Sequence, residues 1–113
     1  MHEMALTEDV VAILEDERRR RAFNCVKRVR LEIGALSYVD ARALAFCFEA
    51  VSRGTIAEGA RLEIEATPGA GWCFDCSRTT PLSERFGACA YCGGRRVEMT
   101  GGAEMRVKEM EVE

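Results

Sequence analysis

The sequence predicts an α+β fold in which two helices lie on a three-stranded mixed sheet, with an inserted zinc-ribbon-like domain. Three observations support this: two apolar stripes at helical spacing, three stretches of alternating apolar and charged residues, and two cysteine pairs in a segment without either pattern. We therefore expect an α/β domain of residues 1–66 plus 104–113 and an inserted four-cysteine domain of residues 67–103.

The first helix is predicted over about residues 5 to 20. Its apolar residues follow the i, i+4, i+7, i+8 spacing of a helix with one buried face. They are Leu6, Val10, Ile13 and Leu14. Thr7, followed by Glu8 and Asp9, suits a first turn.

A strand–helix–strand unit follows. Val29, Leu31 and Ile33 alternate with charged residues, and "ARLEIEA" repeats the pattern with Leu62, Ile64 and Ala66 inward. Between them, Asp40 can cap a helix and Gly54 can end it. The apolar face of that helix consists of Leu44, Cys47, Phe48 and Val51. Such an order implies a parallel strand pair with a right-handed crossover.

The last strand is predicted in the closing "EMRVKEMEVE". Met105 and Val107 alternate, and Met110 and Val112 alternate one register later. A phase slip at Lys108 and Glu109 indicates a β-bulge.

The cysteine-rich segment has the spacing of a metal site. From residue 67 the chain carries both prolines, seven of the ten glycines and four of the six cysteines. Cys73, Cys76, Cys89 and Cys92 form C-x2-C-x12-C-x2-C, which suits structural zinc with no open coordination position. Disulfides, a redox-active pair and rubredoxin-like iron are the competing interpretations. Cys25 and Cys47 have no partner spacing and are expected to be small buried hydrophobes.

Composition narrows the possible partners and compartment. The net charge is -3, and no apolar run or leader-like start suggests a membrane span or export. We expect a cytoplasmic protein that binds neither nucleic acid nor membrane and is either a monomer or a homodimer. Nothing assembles into a catalytic site, so we expect no enzyme. The alternative is a zinc-ribbon adaptor or nucleic-acid-binding module in which His2 is idle and binds no metal.

A basic block follows an acidic one near the start of the chain. Residues 1–17 carry -6, whereas residues 18–30, including Arg18 to Arg21, carry +7. A solvated helix end is the first interpretation, because cations at a helix C-terminus are favoured by the helix dipole. A docking patch for an acidic partner is the other.

The single histidine of the sequence is residue 2. A disordered start is the simplest interpretation. A bulky second residue should keep Met1 in place, so its amine, the amides of His2 and Glu3 and the imidazole lie within one short stretch. Four such nitrogens can surround a metal in a plane, which selects Ni(II) or Cu(II).

The "MHE" start, "LEIGALSYVD", "AEGARLEIEATPG", the paired "CFDC" and "CAYC" and the closing "EMRVKEMEVE" together resemble the HypA/HybF family of hydrogenase nickel-insertion proteins. The resemblance covers essentially the whole chain. It implies a nickel metallochaperone that delivers Ni(II) to the large subunit of a [NiFe]-hydrogenase. It also implies a HypB-type GTPase partner and, in some members, a role in urease maturation.

The resemblance assigns nickel to His2, with backbone nitrogens from Met1 and Glu3, and makes the segment 1–66 plus 104–113 the nickel-binding domain. It assigns structural zinc to Cys73, Cys76, Cys89 and Cys92. Asp40 stands where some members place a carboxylate near nickel, although helix capping explains it as well. This chain lacks the histidines that relatives can carry near the zinc segment, which favours ligation by four thiolates alone.

Overall fold

A computed structural model describes residues 3–113. Two α-helices, one short 3-10 turn (Ala35–Ser37) and six strands follow one another along this part of the chain. In order, they are α1 (Glu3–Arg20), β1 (Val26–Gly34), α2 (Ala41–Ser52), β2 (Arg61–Thr67), β3 (Gly69–Cys73), β4 (Arg78–Leu82), β5 (Val97–Gly101) and β6 (Met105–Val112).

One sheet is three-stranded and mixed, in the order β2-β1-β6. The start of β1 pairs with the end of β6, since the N–H of Asn24 donates to the carbonyl of Glu113 at 2.7 Å. The end of β1 pairs with the start of β6, where Gly34 donates to Glu104 at 2.9 Å. The pair of β1 and β6 is thus antiparallel. Since a mixed sheet also contains a parallel pair, β2 runs parallel to β1, as the strand–helix–strand order predicts.

The second sheet is antiparallel, in the order β4-β3-β5. Gly71 faces Thr80 on β4, and Trp72 faces Thr79. The pairing of β3 with β5 shifts register between Ala70 and Gly71. This sheet gives the cysteine-rich segment regular structure of its own.

The chain divides into two compact units. The first, called here the helical unit, contains the chain up to Leu31, Val39–Glu65 and Arg106–Glu113; the second, the cysteine unit, contains Glu32–Tyr38 and Ala66–Met105. The assignment of 1–66 plus 104–113 and 67–103 as nickel and zinc domains stays a prediction.

In the helical unit, α1 and α2 pack on each other. Its buried residues include Leu6, Val10, Leu14, Val29, Leu31, Leu44 and Phe48. These are the residues that the helical stripes and the strand alternation place inward. Burial of a leucine or phenylalanine side chain contributes about 1.5–3 kcal/mol, so this apolar core dominates the stability of the unit.

The start of α1 and one of its core residues were predicted wrongly. The helix already includes Glu3, so Thr7 lies in its interior, fully buried, with its hydroxyl donating to the carbonyl of Met4 at 2.8 Å. Ile13 is 42% exposed, whereas Val11 is buried. On a helix these two positions are 200° apart, so they lie on opposite sides of the apolar face. Only the element that packs against α1 decides which of the two sides is buried.

The end signals of α2 were predicted correctly. Oδ1 of Asp40 accepts the N–H groups of Arg42 at 2.9 Å and Ala43 at 3.1 Å, which is the geometry of an N-cap. Gly54 follows the helix with φ +77°, the left-handed conformation in which glycine is favoured.

The alternation of the strands departs from the prediction at one residue and follows it at another place. Ala66 of β2 is exposed rather than inward. In β6 both Lys108 and Glu109 are exposed, so the alternation slips at the predicted residues. Whether the slip is a bulge stays a prediction.

Charged side chains connect all three strands of the mixed sheet. Glu63 of β2 accepts from Arg28 at 2.8 Å and from Arg30 at 3.2 Å, both on β1. Arg30 also pairs with Glu109 of β6 at 3.1 Å. The Arg28 hydrogen bond, with Arg30, holds the pKa of Glu63 below its ordinary value although partial burial opposes this.

The basic end of α1 is largely paired within the helix. Arg19 and Arg20 lie near Asp16, and Arg21 lies 3.5 Å from Glu17. These pairs fit the interpretation as a solvated helix end. Docking of an acidic partner there stays a prediction.

Within residues 3–113, no helix is both long and apolar enough to cross a membrane.

Candidate metal centre

Two loops of similar geometry present the four cysteines. The first cysteine loop, residues 73–76, follows β3, and the second is residues 89–92. The residue after each loop is left-handed, Ser77 with φ +54° and Gly93 with φ +73°. Each of these residues donates its N–H to the main-chain carbonyl of the first cysteine in its loop. The distances are 2.8 Å from Ser77 to Cys73 and 3.0 Å from Gly93 to Cys89. The turn therefore directs both cysteines of a loop to the same side.

The four thiols converge on one point. One sulfur from each of Cys73, Cys76, Cys89 and Cys92 lies within 4.8 Å of all the others. The Cys73–Cys92 and Cys76–Cys89 Sγ pairs are 3.6 and 3.7 Å apart. A tetrahedron with Zn–S bonds of about 2.3 Å has edges of about 3.8 Å, so the cluster fits four-thiolate zinc. The geometry is that of a closed structural site.

Backbone N–H groups point at two of the sulfurs. Tyr91 donates to Cys89 Sγ and Gly94 to Cys92 Sγ, each at 3.4 Å. The N–H groups of Cys92 and Tyr91 and the hydroxyl of Thr80 lower the pKa of Cys89 to about 6, against the opposing effect of burial. Burial raises the pKa of Cys76 to about 12. Since a metal binds thiolates, zinc uptake must release protons and must weaken in acid.

The cluster is enclosed on one side. Cys73 and Cys89 are buried, Cys76 is half-buried and Cys92 is exposed. Cys25 and Cys47 are both half-buried, rather than fully buried as expected, and neither joins the cluster. The sequence spacing therefore selected the four thiols that the structure brings together.

An ion pair ties the first cysteine loop to the segment that follows the second. Asp75 of the first loop accepts from Nε of Arg96 at 2.8 Å, and the N–H of Phe74 donates to the carbonyl of Arg96 at 2.8 Å. The guanidinium hydrogen bond from Arg96 lowers the pKa of Asp75. Arg96 lies four residues after Cys92, so this clamp brings the chain back to the first loop.

The arginines of the cysteine unit are largely occupied by its own groups. Arg78 stacks over the ring of Tyr91 at 3.8 Å, and Arg85 donates to the carbonyl of Leu36 at 2.6 Å. With Arg96 paired to Asp75, these cations offer little to phosphates. Three of the four arginines between residues 68 and 103 are therefore engaged by groups of the same unit.

The predicted nickel ligands are only partly covered by the structure. Met1 and His2 lie outside the described residues. Glu3 begins α1, and its Oε2 accepts the N–H of Asp40 at 3.2 Å. The start of α1 thus lies beside the start of α2, where Asp40 caps the helix.

Two residues that shape the centre, Thr80 and Arg96, were not predicted from the sequence. Thr80 is fully buried and its Oγ1 accepts the N–H of Ala90 at 2.9 Å. No spacing rule identifies either residue, because both act from outside the loops. For Arg96, the only indication in the sequence was its positive charge in "CGGRR", opposite to the negative charge of Asp75 in "CFDC".

The fold and the site define a class: a small α+β metal-binding protein in which a separate antiparallel-sheet unit carries a closed four-thiolate centre. The chain belongs to the HypA family, described as hydrogenase/urease nickel incorporation, metallochaperone, whose model matches residues 1–112.

Individual relatives agree with this assignment. The chain is 59% identical to the hydrogenase maturation factor HypA of Methylocella silvestris and 57% identical to that of Dechloromonas aromatica, in each case over all of both chains. Among solved structures, it is similar to the solution structure of the Ni metallochaperone HypA from Helicobacter pylori. That match has a TM-score of 0.75 and 26% identity and covers 99% of this chain and 97% of the other.

Proposed function

We propose that this protein binds Ni(II) with its N-terminal residues and delivers it during maturation of [NiFe]-hydrogenase. The observation that carries the proposal is the anchored start of α1. Glu3 is hydrogen-bonded to Asp40, and the next turns of α1 are held in the core by the buried side chains of Leu6 and Val10. His2 precedes this anchored residue directly in the sequence.

Helix geometry favours a nitrogen ligand at Glu3. The first four N–H groups of a helix have no intrahelical acceptor, and the helix dipole stabilises negative charge at that end. The amide of Glu3 is therefore suited to ligate Ni(II) in its deprotonated form. The amine of Met1, the amide of His2 and its imidazole complete a planar set of four nitrogens, the geometry preferred by Ni(II).

Proton competition makes this site suited to release. The amine has an ordinary pKa of about 8, and the amides must also lose their protons. Nickel affinity should therefore fall steeply with decreasing pH. The capping hydrogen bonds use Oδ1 of Asp40, and whether its carboxylate also faces nickel stays a prediction.

We assign zinc a structural role. Four thiolates fill the tetrahedral coordination of Zn(II), so no position is open for cargo or substrate. Cys73, Cys76, Cys89 and Cys92 would hold the ion, and its binding would supply folding free energy to the cysteine unit. This division of labour makes the protein a carrier rather than an enzyme.

The proposed partners follow from the family. They are a HypB-type GTPase and the hydrogenase large subunit, with urease maturation proteins as further candidates, in the cytoplasm. The relatives named as hydrogenase maturation factors support this assignment.

The decisive experiment measures nickel and zinc in untagged protein. We expect about one Ni(II) per chain, with the absorption of a planar nickel complex, and loss of nickel but not zinc in His2→Ala. An extension of two residues before Met1 should also abolish the planar spectrum, because it removes the free amine.

The matched control is Glu8→Gln, an exposed residue of α1 that should keep wild-type nickel binding. Full nickel affinity in His2→Ala would refute the N-terminal site. Retained planar coordination in the extended protein would refute the role of the amine.

A further inference from the structure

A fully buried threonine lies on the strand that faces the second cysteine loop. Thr80 belongs to β4, opposite Gly71 of β3. Threonine is mostly exposed in proteins, and a buried hydroxyl is unfavourable unless it is hydrogen-bonded. Valine has nearly the same shape and would fill the space without that requirement. The hydroxyl therefore calls for a specific explanation.

Its hydrogen bond leads to the metal centre. Oγ1 of Thr80 accepts the N–H of Ala90 at 2.9 Å, and Ala90 lies between the ligands Cys89 and Cys92. The equivalent amide of the first loop, that of Phe74, donates to the main-chain carbonyl of Arg96 at 2.8 Å. Each loop is thus held through the amide that follows its first cysteine. In the second loop a side chain takes the place of a carbonyl.

We propose that Thr80 is a positioning residue of the zinc centre, whose hydroxyl holds the second cysteine loop in the geometry that lets Cys89 and Cys92 bind the ion. The proposal rests on the proposed zinc occupancy of the four thiolates. Residues that orient metal ligands commonly change metal affinity 10–100-fold when they are lost.

Oγ1 also lies 3.3 Å from the carbonyl oxygen of Pro81, longer than the usual 2.7–2.8 Å for an O–H donor. The firmer of its two contacts is therefore the hydrogen bond that it accepts from Ala90 of the second cysteine loop.

The test compares Thr80→Val with Thr80→Ser and measures zinc transfer to a chromophoric chelator. We expect about tenfold faster release in Thr80→Val, which lacks the hydroxyl, and nearly wild-type release in Thr80→Ser, which keeps it. Thr79→Val, on the exposed face of the same strand, is the matched control and should release zinc like the wild type.

Amide hydrogen exchange provides a second readout. In Thr80→Val the amide of Ala90 should lose protection while that of Phe74 keeps it, a pattern that a general loss of packing does not produce. If Thr80→Val holds no zinc at all, normal loading of Thr80→Ser supports the proposal and failure of both variants overturns it. Equal release by Thr80→Val and wild type also overturns it, whereas a wild-type protein without zinc refutes the zinc assignment itself.

Discussion

The helical unit and the cysteine unit are stabilised in different ways. The first buries a continuous set of aliphatic side chains, among them Leu14 and Leu44, with no exposed surface. In the second, Cys73, Cys89 and Thr80 are among the buried residues, and backbone segments approach one another closely. A Cβ atom on Gly34, for example, would overlap the carbonyl oxygen of Gly102. Metal removal should therefore affect the two units unequally.

Two spectroscopic signals separate the units. Trp72, the single tryptophan of the sequence, belongs to β3 of the cysteine unit. Both α-helices belong to the helical unit. Tryptophan fluorescence thus follows one unit and helical circular dichroism follows the other.

The largest effect is expected from removal of a metal ligand. Cys89→Ser should lose zinc and unfold the cysteine unit, because structural zinc supplies about 10–16 kcal/mol in zinc-finger peptides. Trp72 fluorescence should shift to that of the unfolded chain while most helical signal remains. Cys47→Ser, which changes a thiol outside the cluster, is the control and should keep zinc. A Cys89→Ser protein with native fluorescence and full zinc would contradict the comparison.

A core truncation should produce the reverse pattern. Leu44→Ala removes a fully buried side chain of α2 and should lower the free energy of unfolding of the helical unit by about 2–5 kcal/mol. Zinc content should not change. Phe46→Ala, on the same helix but 73% exposed, should alter stability by no more than about 0.5 kcal/mol. Thermal melts of the helical signal, with zinc analysis, test this; equal losses in the two variants would be evidence against a leucine-based core.

The smallest effect is expected from Glu63 and appears as a pH dependence. Hydrogen bonds from Arg28 and Arg30 depress the pKa of Glu63 in the folded protein. The stabilisation is therefore present above the unfolded pKa of about 4.3 and is lost as the pH falls through the lower folded value. Glu63→Gln should make the melting temperature less dependent on pH in this acidic range.

The comparison variant is Glu65→Gln, which lies on the same strand and pairs with Lys108 at 3.3 Å. Melts of the helical signal between pH 5 and pH 3 should separate the two variants. The same pH dependence in Glu63→Gln and wild type would show that the ion pairs of Glu63 contribute nothing to acid stability.

The patterns that predicted the fold correctly are local ones. Asp40 caps α2 because an N-cap satisfies amides only two and three residues away. The four clustered thiols were recognisable because a two-residue spacing brings two thiols together regardless of the surrounding fold. Errors arose where burial depends on distant neighbours, as at Ile13 and Ala66.

The sequence by itself determined the strand and helix periods, the cap of α2 and the set of four thiols, because each depends on short-range geometry along the chain. Only the tertiary structure decided that Thr80 holds the second cysteine loop, that Arg96 clamps the first, and that Glu3 meets Asp40. These contacts join residues 10, 21 and 37 positions apart. No sequence period encodes such pairs, since they form only when packed elements bring distant hydrogen-bonding groups together.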